Sequence, residues 1–287
     1  MSLAVAAAPA APSAAPSAAH PVADAYTRLT EVFPDLRVTL GDPTPPEGDG
    51  WLDAAALASG GPALDLFLAD EAARITRDYG RSARPDVVAS FALHRYAWPA
   101  CLLITVPWFL HRRVPHLSAG DVRFHRELGR MAVRAGSFGC LPDDPAARLP
   151  GARVVPDEEA LRAELRAAVA AHLGPVLDGF RTRVRRGPRA LWGMASDEIV
   201  EGLWYVGHLL GEERRAVTEL ARLLPGATAP YAAGAGFREL TGPDGAALPT
   251  RDRASCCMYY TLRPEDTCVT CPRTCDAERI SRLTATS

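Results

Sequence analysis

The sequence predicts an α+β chain that is mainly α-helical, with a small β element and a Cys-rich segment at the C-terminus. Long stretches carry apolar residues at helical spacing, one stretch alternates, and five of the seven cysteines fall within residues 256–275. With 287 residues, the chain can bury a substantial core and does not depend on disulfides for stability. The clustered thiols are therefore expected to serve chemistry.

Bulk composition excludes several classes of protein. The net charge is −2 and 48% of the residues are apolar, which is typical of a globular chain rather than of a nucleic-acid binder or a disordered protein. Charge is unevenly distributed, because residues 24–78 hold eleven acids and four arginines, whereas residues 81–134 hold nine arginines and three acids. This asymmetry predicts one acidic and one basic face, the latter suited to an acidic electron donor or an anionic substrate.

Two apolar segments bear on the compartment. Residues 1–23 are rich in Ala and Pro and lack the basic start of an export signal, which predicts a disordered tail. The run from Tyr96 to Leu110 contains two prolines and is shorter than the roughly 20 residues of a membrane helix, so a buried core segment is expected. Without a signal or a span, the protein is expected in the cytoplasm, where thiols stay reduced.

Three helices are predicted in the second half of the chain. The first begins at the acids after Pro156 and is interrupted by a kink or restart at Gly174 and Pro175. The second extends from Leu191 to Leu210, and the third from Glu212 to Leu224, where Pro225 stops it. Together they predict a bundle.

Alternation from Val122 to Val133 predicts a hairpin that turns at Gly129 and Arg130. Gly, Ala and Pro between residues 225 and 249 predict a loop or linker. The expected organisation is therefore a tail over residues 1–23, the N-terminal part of the body over 24–150, a helical bundle part and linker over 151–249, and the Cys-rich segment over 250–287.

The spacing of the tail cysteines is typical of a metal centre. Cys256 and Cys257 are adjacent, ten residues precede Cys268, and two more separate it from Cys271. A two-residue gap lets two thiolates converge on one centre. Adjacent residues of a regular strand point to opposite faces, which suits a cluster with two irons better than one tetrahedral zinc ion. Cys275 lies outside the pattern, as a spare thiol or an alternative ligand.

This arrangement resembles the C-terminal signature of the FhuF-like ferric siderophore reductases, in which a CC pair, ten residues and a C-x-x-C pair hold a 2Fe-2S cluster. The resemblance assigns Cys256, Cys257, Cys268 and Cys271 as the metal and cofactor ligands. Looser similarity covers "YAWPACLLITVPWFLHRRVP" and "RALWGMASDEIVEGLW". It implies an iron-sulfur oxidoreductase that reduces a ferric siderophore of hydroxamate type by one electron, with no catalytic residue beyond the ligands.

No nicotinamide or flavin fingerprint occurs in the sequence, so the electron is expected from a separate donor such as a ferredoxin or a flavin reductase. The alternative function is a non-enzymatic metal-binding module with structural zinc or an iron-sulfur sensor site. A disulfide pair is the third interpretation of the thiols, disfavoured in a reducing cytosol.

Other residues are assigned ordinary roles. Cys101 and Cys140 are expected to be inert thiols. The arginines of residues 181–186 are expected to decorate a helix end, with docking as the alternative. Solvated surface is expected for the four histidines of the basic stretch, with a substrate contact as the alternative: His94, His111, His116 and His125.

Overall fold

A computed structural model describes residues 20–41 and 50–286 of the chain. The predicted class, mainly helical with small sheets, is confirmed. Residues 1–19 of the predicted tail lie outside the described residues, and Val22 is already buried where the first helix begins. The α-helices are α1 Ala23–Val32, α2 Ala54–Ala58, α3 Pro62–Tyr79, α4 Pro85–His111, α5 Glu158–Val184, α6 Pro188–Leu209, α7 Glu213–Leu223 and α8 Asp276–Thr286.

Helix α4 forms the centre of the core. It begins with Pro85 at its first position, which suits proline because the missing N–H would have no helical partner there. It packs against α5 and α6. The segment from Tyr96 to Leu110 is almost wholly buried, as predicted, although Pro99 and Pro107 lie inside an uninterrupted helix.

By length and composition α4 could cross a membrane, but 72% of its most apolar window is buried within the protein. This burial is typical of the core helix of a soluble protein.

The three predicted helices of the second half are present as α5, α6 and α7. The Asp157 side chain accepts a hydrogen bond from the Ala160 N–H at 2.8 Å and caps α5. The predicted restart at Pro175 is wrong, because α5 continues through it to Val184. Burial of one face of α5 against α4 stabilises the helix more than one missing hydrogen bond costs it.

Two small sheets and a ribbon complete the fold. The strands are β1 Arg37–Leu40, β2 Trp51–Asp53, β3 Val114–Pro115, β4 Val122–His125, β5 Arg130–Val133, β6 Phe138–Cys140, β7 Ala152–Val154, β8 Phe237–Thr241 and β9 Ala247–Arg251. Their orders are β1-β5-β4-β2 and β3-β6-β7, with β8 paired to β9.

The predicted hairpin is confirmed as antiparallel β4 and β5, with Val122 opposite Val133 and Phe124 opposite Met131. All four side chains are buried. The turn occupies residues 126–129 rather than Gly129 and Arg130, because Arg130 is already paired with Arg37 of β1. Gly129 has φ +56°, a conformation that glycine adopts at little cost.

Strands β8 and β9 lie within the stretch for which a linker was expected. Pro249 sits opposite Glu239 in this ribbon. Each strand of a two-stranded ribbon has one edge without a partner strand. A residue whose N–H would point to that edge can be proline, because no ladder hydrogen bond is lost.

Three arginines of the basic stretch pair with acids of the acidic stretch, whereas others pair elsewhere, for example Arg113 with Asp144 at 2.8 Å. Arg95 binds Glu71 at 2.7 Å, Arg126 forms an ion pair with Asp70, and Arg123 lies 3.8 Å from an Asp53 oxygen. Charges that are far apart in sequence thus neutralise each other across α3, α4 and the sheet.

Candidate functional site

The Cys-rich segment is attached to α6 through one buried carboxylate. Asp197 accepts hydrogen bonds from the backbone N–H groups of Ala254 at 2.9 Å and Ser255 at 2.8 Å. It also receives the Arg251 guanidinium at 2.6 Å, and both side chains of this ion pair are fully buried. The backbone just before the cysteines is therefore held by a charged contact in the interior, where such bonds are strongest.

Further contacts hold the same stretch. Arg186 donates to the Ser255 hydroxyl at 3.1 Å and to the Cys256 carbonyl at 2.7 Å. Gly193 of α6 lies so close that an added Cβ would be 3.3 Å from the Ala254 carbonyl oxygen. The arginine run is thus more than decoration of a helix end, because one of its members binds the segment directly.

Helix α8 closes the segment from the other side. Arg279 is almost fully buried and donates to the Cys271 carbonyl at 3.0 Å and to Asp252 at 2.6 Å. Arg238 of β8 binds both Asp252 and Asp276. Leu262 provides an apolar anchor between α3 and α4. Cationic and apolar contacts together position a stretch that has little regular structure.

The four predicted ligands differ in burial, because Cys256, Cys257 and Cys268 are half-buried and Cys271 is buried. Interaction between the Cys257 and Cys268 thiols lowers the pKa of Cys268 and raises that of Cys257. Cys271 is buried and its N–H donates to the Cys268 carbonyl at 3.0 Å, closing the C-x-x-C turn. Within residues 20–41 and 50–286, no three His, Cys, Asp or Glu side chains converge as one metal ion would require.

Hydrogen-bond donors point at the sulfurs. The Met258 N–H lies 3.4 Å from the Cys256 Sγ, and the Thr270 hydroxyl lies 3.8 Å from the Cys268 Sγ. Met258 has φ +70°, an uncommon conformation for a side chain of its size. This conformation reverses the chain after the adjacent cysteines and lets the backbone donate to a thiolate.

Arg253 adds a positive charge beside the thiols. Its side chain is 12% exposed and lies 3.7 Å from Asp197. Burial alone would lower its pKa, but Asp197, Glu201, Glu198 and Cys257 raise it, so the guanidinium stays charged. Its Nε has no hydrogen-bond partner although it is buried. A donor set of four thiols in one segment, with the Met258 N–H directed at sulfur and the charged Arg253 guanidinium nearby, fits an anionic iron-sulfur cluster.

The remaining cysteines lie in different surroundings. Cys275 is exposed, whereas Cys101 and Cys140 are buried in the core. Burial raises the pKa of both core thiols, that of Cys101 strongly, so they stay protonated. This agrees with the inert role expected for them.

A groove leads from the protein surface to the thiols. Two adjoining cavities of about 530 and 430 Å³ share four lining residues, Phe91, His94, Arg253 and Cys257. We call this region the α4 groove after the helix that supplies the first two. The smaller cavity extends to Cys268 and the larger to Trp98. Cavities of this size are typical of small-molecule sites.

Sequence reasoning missed several of these residues. His94 was expected on solvated surface, yet its Nδ1 binds the buried Glu198 carboxylate. Phe91, His94 and Trp98 recur at helical spacing on α4, a signal that could have grouped them on one face. Asp197 carries no signal in the sequence, because its importance comes from contacts with a distant part of the chain.

Comparison with known families supports this interpretation. Residues 253–273 match the family described as FhuF 2Fe-2S C-terminal domain. The match confirms the predicted resemblance, implies a 2Fe-2S cluster and indicates an iron-sulfur protein like the siderophore-iron reductases. No curated protein matches the chain.

Proposed function

We propose that the protein is a ferric siderophore reductase that transfers one electron to a chelated ferric ion and thereby releases ferrous ion. The observation that carries the proposal is that two thiols of the matched 2Fe-2S segment, Cys257 and Cys268, line a surface groove large enough for a ligand. A short path from sulfur to a docked chelate is what one-electron transfer needs. Ferric ion binds hard oxygen donors more strongly than ferrous ion does, so the added electron loosens the complex.

The proposed ligands are Cys256, Cys257, Cys268 and Cys271. When bound, a 2Fe-2S cluster supplies a one-electron carrier. The protein residues would hold and tune it: the Met258 N–H donates to sulfur, and Arg253 offsets negative charge. Such contacts stabilise the more negative reduced state.

Each turnover consumes one electron from outside the chain. We propose a ferredoxin or a flavin reductase as the donor, a hydroxamate-type ferric siderophore as the substrate and the cytoplasm as the compartment. No covalent intermediate with the protein is required, and no side chain beyond the ligands takes part in a bond-breaking step.

Loss of ligands tests the proposal most directly. Because each thiolate supplies one donor, replacing any of the four proposed ligands by Ala should abolish or severely destabilise the cluster. The visible absorption of the anaerobically purified protein measures this loss. The matched control is Cys275→Ala, which should keep the spectrum. Full colour in any of the four ligand variants would contradict the assignment.

Ferrous release tests the activity separately. The loaded and reduced protein, mixed with a panel of ferric siderophores and a ferrous-specific chromogenic chelator, should release Fe(II) most rapidly from hydroxamates. A coloured protein that releases no Fe(II) would indicate that the function is electron transfer or sensing and not siderophore reduction. A colourless protein with stoichiometric zinc would establish the metal-binding module instead.

A further inference from the structure

We infer that the α4 groove is the substrate-binding site, in which His94 contacts the ferric chelate and Cys257 is the sulfur nearest to the chelate. This inference rests on the proposed function and names the residues by which the substrate is bound. It begins from a polar atom that lacks a partner. The Nε2 of His94 is buried and makes no hydrogen bond within the protein, an arrangement that costs free energy unless a ligand satisfies it.

Glu198 orients this imidazole. Its carboxylate is almost fully buried and binds the Nδ1 of His94, so Nδ1 carries the proton of that bond. A carboxylate behind one ring nitrogen fixes the ring and leaves the Nε2 with a lone pair, which can accept a hydrogen bond from an amide N–H of the chelate. Glu198 is therefore a positioning residue, and His94 is the residue that contacts the ligand.

The walls of the groove suit a bulky ligand with apolar surface. Phe91 and Trp98 each lie about one turn from His94 along α4 and on the same side. Trp98 also packs edge-on against Phe33, with ring centroids 5.6 Å apart. Aromatic side chains supply large contact area with little conformational freedom to lose.

Charge identifies the kind of chelate that fits. Each arginine that lines the groove already has a carboxylate partner: Arg74 lies 3.7 Å from Asp78, Arg95 2.7 Å from Glu71, and Arg253 3.7 Å from Asp197. The larger cavity is also lined by more carboxylates than arginines. A chelate with several negative charges would meet no surplus cation there, whereas three hydroxamates neutralise a ferric ion and leave no net charge.

The lining of the groove indicates which sulfur would lie nearest to a bound chelate. Cys257 lines both cavities and Cys268 lines one of them, whereas Cys271 is buried. A chelate held against His94 and Arg253 is therefore next to Cys257. The path from thiolate to ferric ion is shortest over this residue.

Binding of a redox-inert analogue tests the proposed substrate-binding site without turnover. The probe is the gallium(III) complex of a cyclic hexadentate trihydroxamate whose peptide ring carries amide N–H donors, titrated by calorimetry into the cluster-loaded protein. We expect binding to wild type, about tenfold weaker binding to His94→Phe because one buried hydrogen bond is lost, and weaker binding to Trp98→Leu. The matched control is His208→Phe, since His208 forms an exposed pair with Glu213 at 3.0 Å and should not affect binding.

Three outcomes would overturn the inference: equal affinity of wild type and both groove variants, no binding of the probe to wild type, or tighter binding of the gallium tricatecholate, which carries three negative charges. Visible absorption of each variant shows whether it is equally loaded, and Trp98→Leu keeps the test valid if His94→Phe does not fold. If the wild type binds the probe but releases no ferrous ion from ferric siderophores, the proposed reductase activity is wrong, whereas the α4 groove remains a chelate-binding site.

Discussion

The helical body and the Cys-rich segment are stabilised by different interactions. In the body, α4, α5 and α6 bury a continuous set of aliphatic and aromatic side chains. In the segment, backbone groups are held by charged side chains, chiefly Asp197 and Arg186 from the helical body and Arg279 from α8. Apolar packing tolerates small shifts, whereas a thiolate site needs its backbone in one geometry, which directional hydrogen bonds impose.

The largest loss of stability is expected when the buried ion pair of Asp197 and Arg251, which holds the Cys-rich segment, is broken. Asp197→Ala removes one of the two carboxylate partners of the buried Arg251 guanidinium, leaving only Glu201 at 2.6 Å, and frees two backbone N–H groups. The free energy of unfolding should therefore fall by about 3 kcal/mol, and retention of the visible chromophore should fall with it. Chemical denaturation followed by far-UV circular dichroism measures the first, and absorption the second.

Two comparisons control that experiment. The double variant Asp197→Leu/Arg251→Met removes both charges and should recover part of the lost stability. Removing the exposed Arg28–Glu31 pair should change stability by less than about 1 kcal/mol. If Asp197→Ala is as stable as wild type and keeps its colour, the segment is not held by this carboxylate.

Acid should weaken the body before it weakens the contacts of α8. His172 is fully buried, where burial lowers its pKa from 6.5 to about 4. In the unfolded chain His172 takes up a proton near pH 6.5, whereas in the folded chain it does so only near pH 4. The folded state therefore keeps its full stability above pH 6.5 and loses stability as the pH falls towards 4. The free energy of unfolding should fall by about 2 kcal/mol between pH 7 and pH 5.

The ion pair of Asp276 titrates later. Arg238 lowers the pKa of Asp276 below 3.8, so its contribution persists above that pH and is lost below it. Urea titrations at pH 7 and pH 5 measure the loss in the body, which His172→Gln should reduce. An equal loss in wild type and His172→Gln would show that other groups govern acid sensitivity.

The smallest expected effect concerns the reduction potential. Arg253 lies among the thiols, whereas Arg273 stacks on the Tyr260 ring with its guanidinium carbon 4.1 Å from the centroid. Arg253→Gln should lower the midpoint potential by on the order of 60 mV, which corresponds to a tenfold change in a one-electron equilibrium. Arg273→Ala should lower it less.

Spectroscopic redox titration measures both potentials. Arg253→Lys is the control, because it keeps the charge and should retain most of the potential. A larger shift in Arg273→Ala than in Arg253→Gln would reverse the order and place the tuning charge beyond the C-x-x-C turn.

The sequence by itself determined the parts of this protein that depend on local pattern. Helical periodicity predicted α5, α6 and α7, and alternation predicted the β4–β5 hairpin with its four buried side chains, because these signals reflect which face of each element is buried. The spacing of Cys256, Cys257, Cys268 and Cys271 predicted a metal centre, because a C-x-x-C turn lets two thiolates converge, and the resemblance to the FhuF-like reductases implied that the centre is a 2Fe-2S cluster.

Only the tertiary structure decided what those thiols face. Pro175 remains inside α5, and the expected linker contains β8 and β9, because packing against neighbouring elements outweighs local propensity. His94 lies beside Glu198, 104 residues away in sequence, and Arg253 beside Asp197. Such contacts join residues that are far apart along the chain, so no local pattern encodes them, and they form the groove that gives the sulfurs access to a ligand.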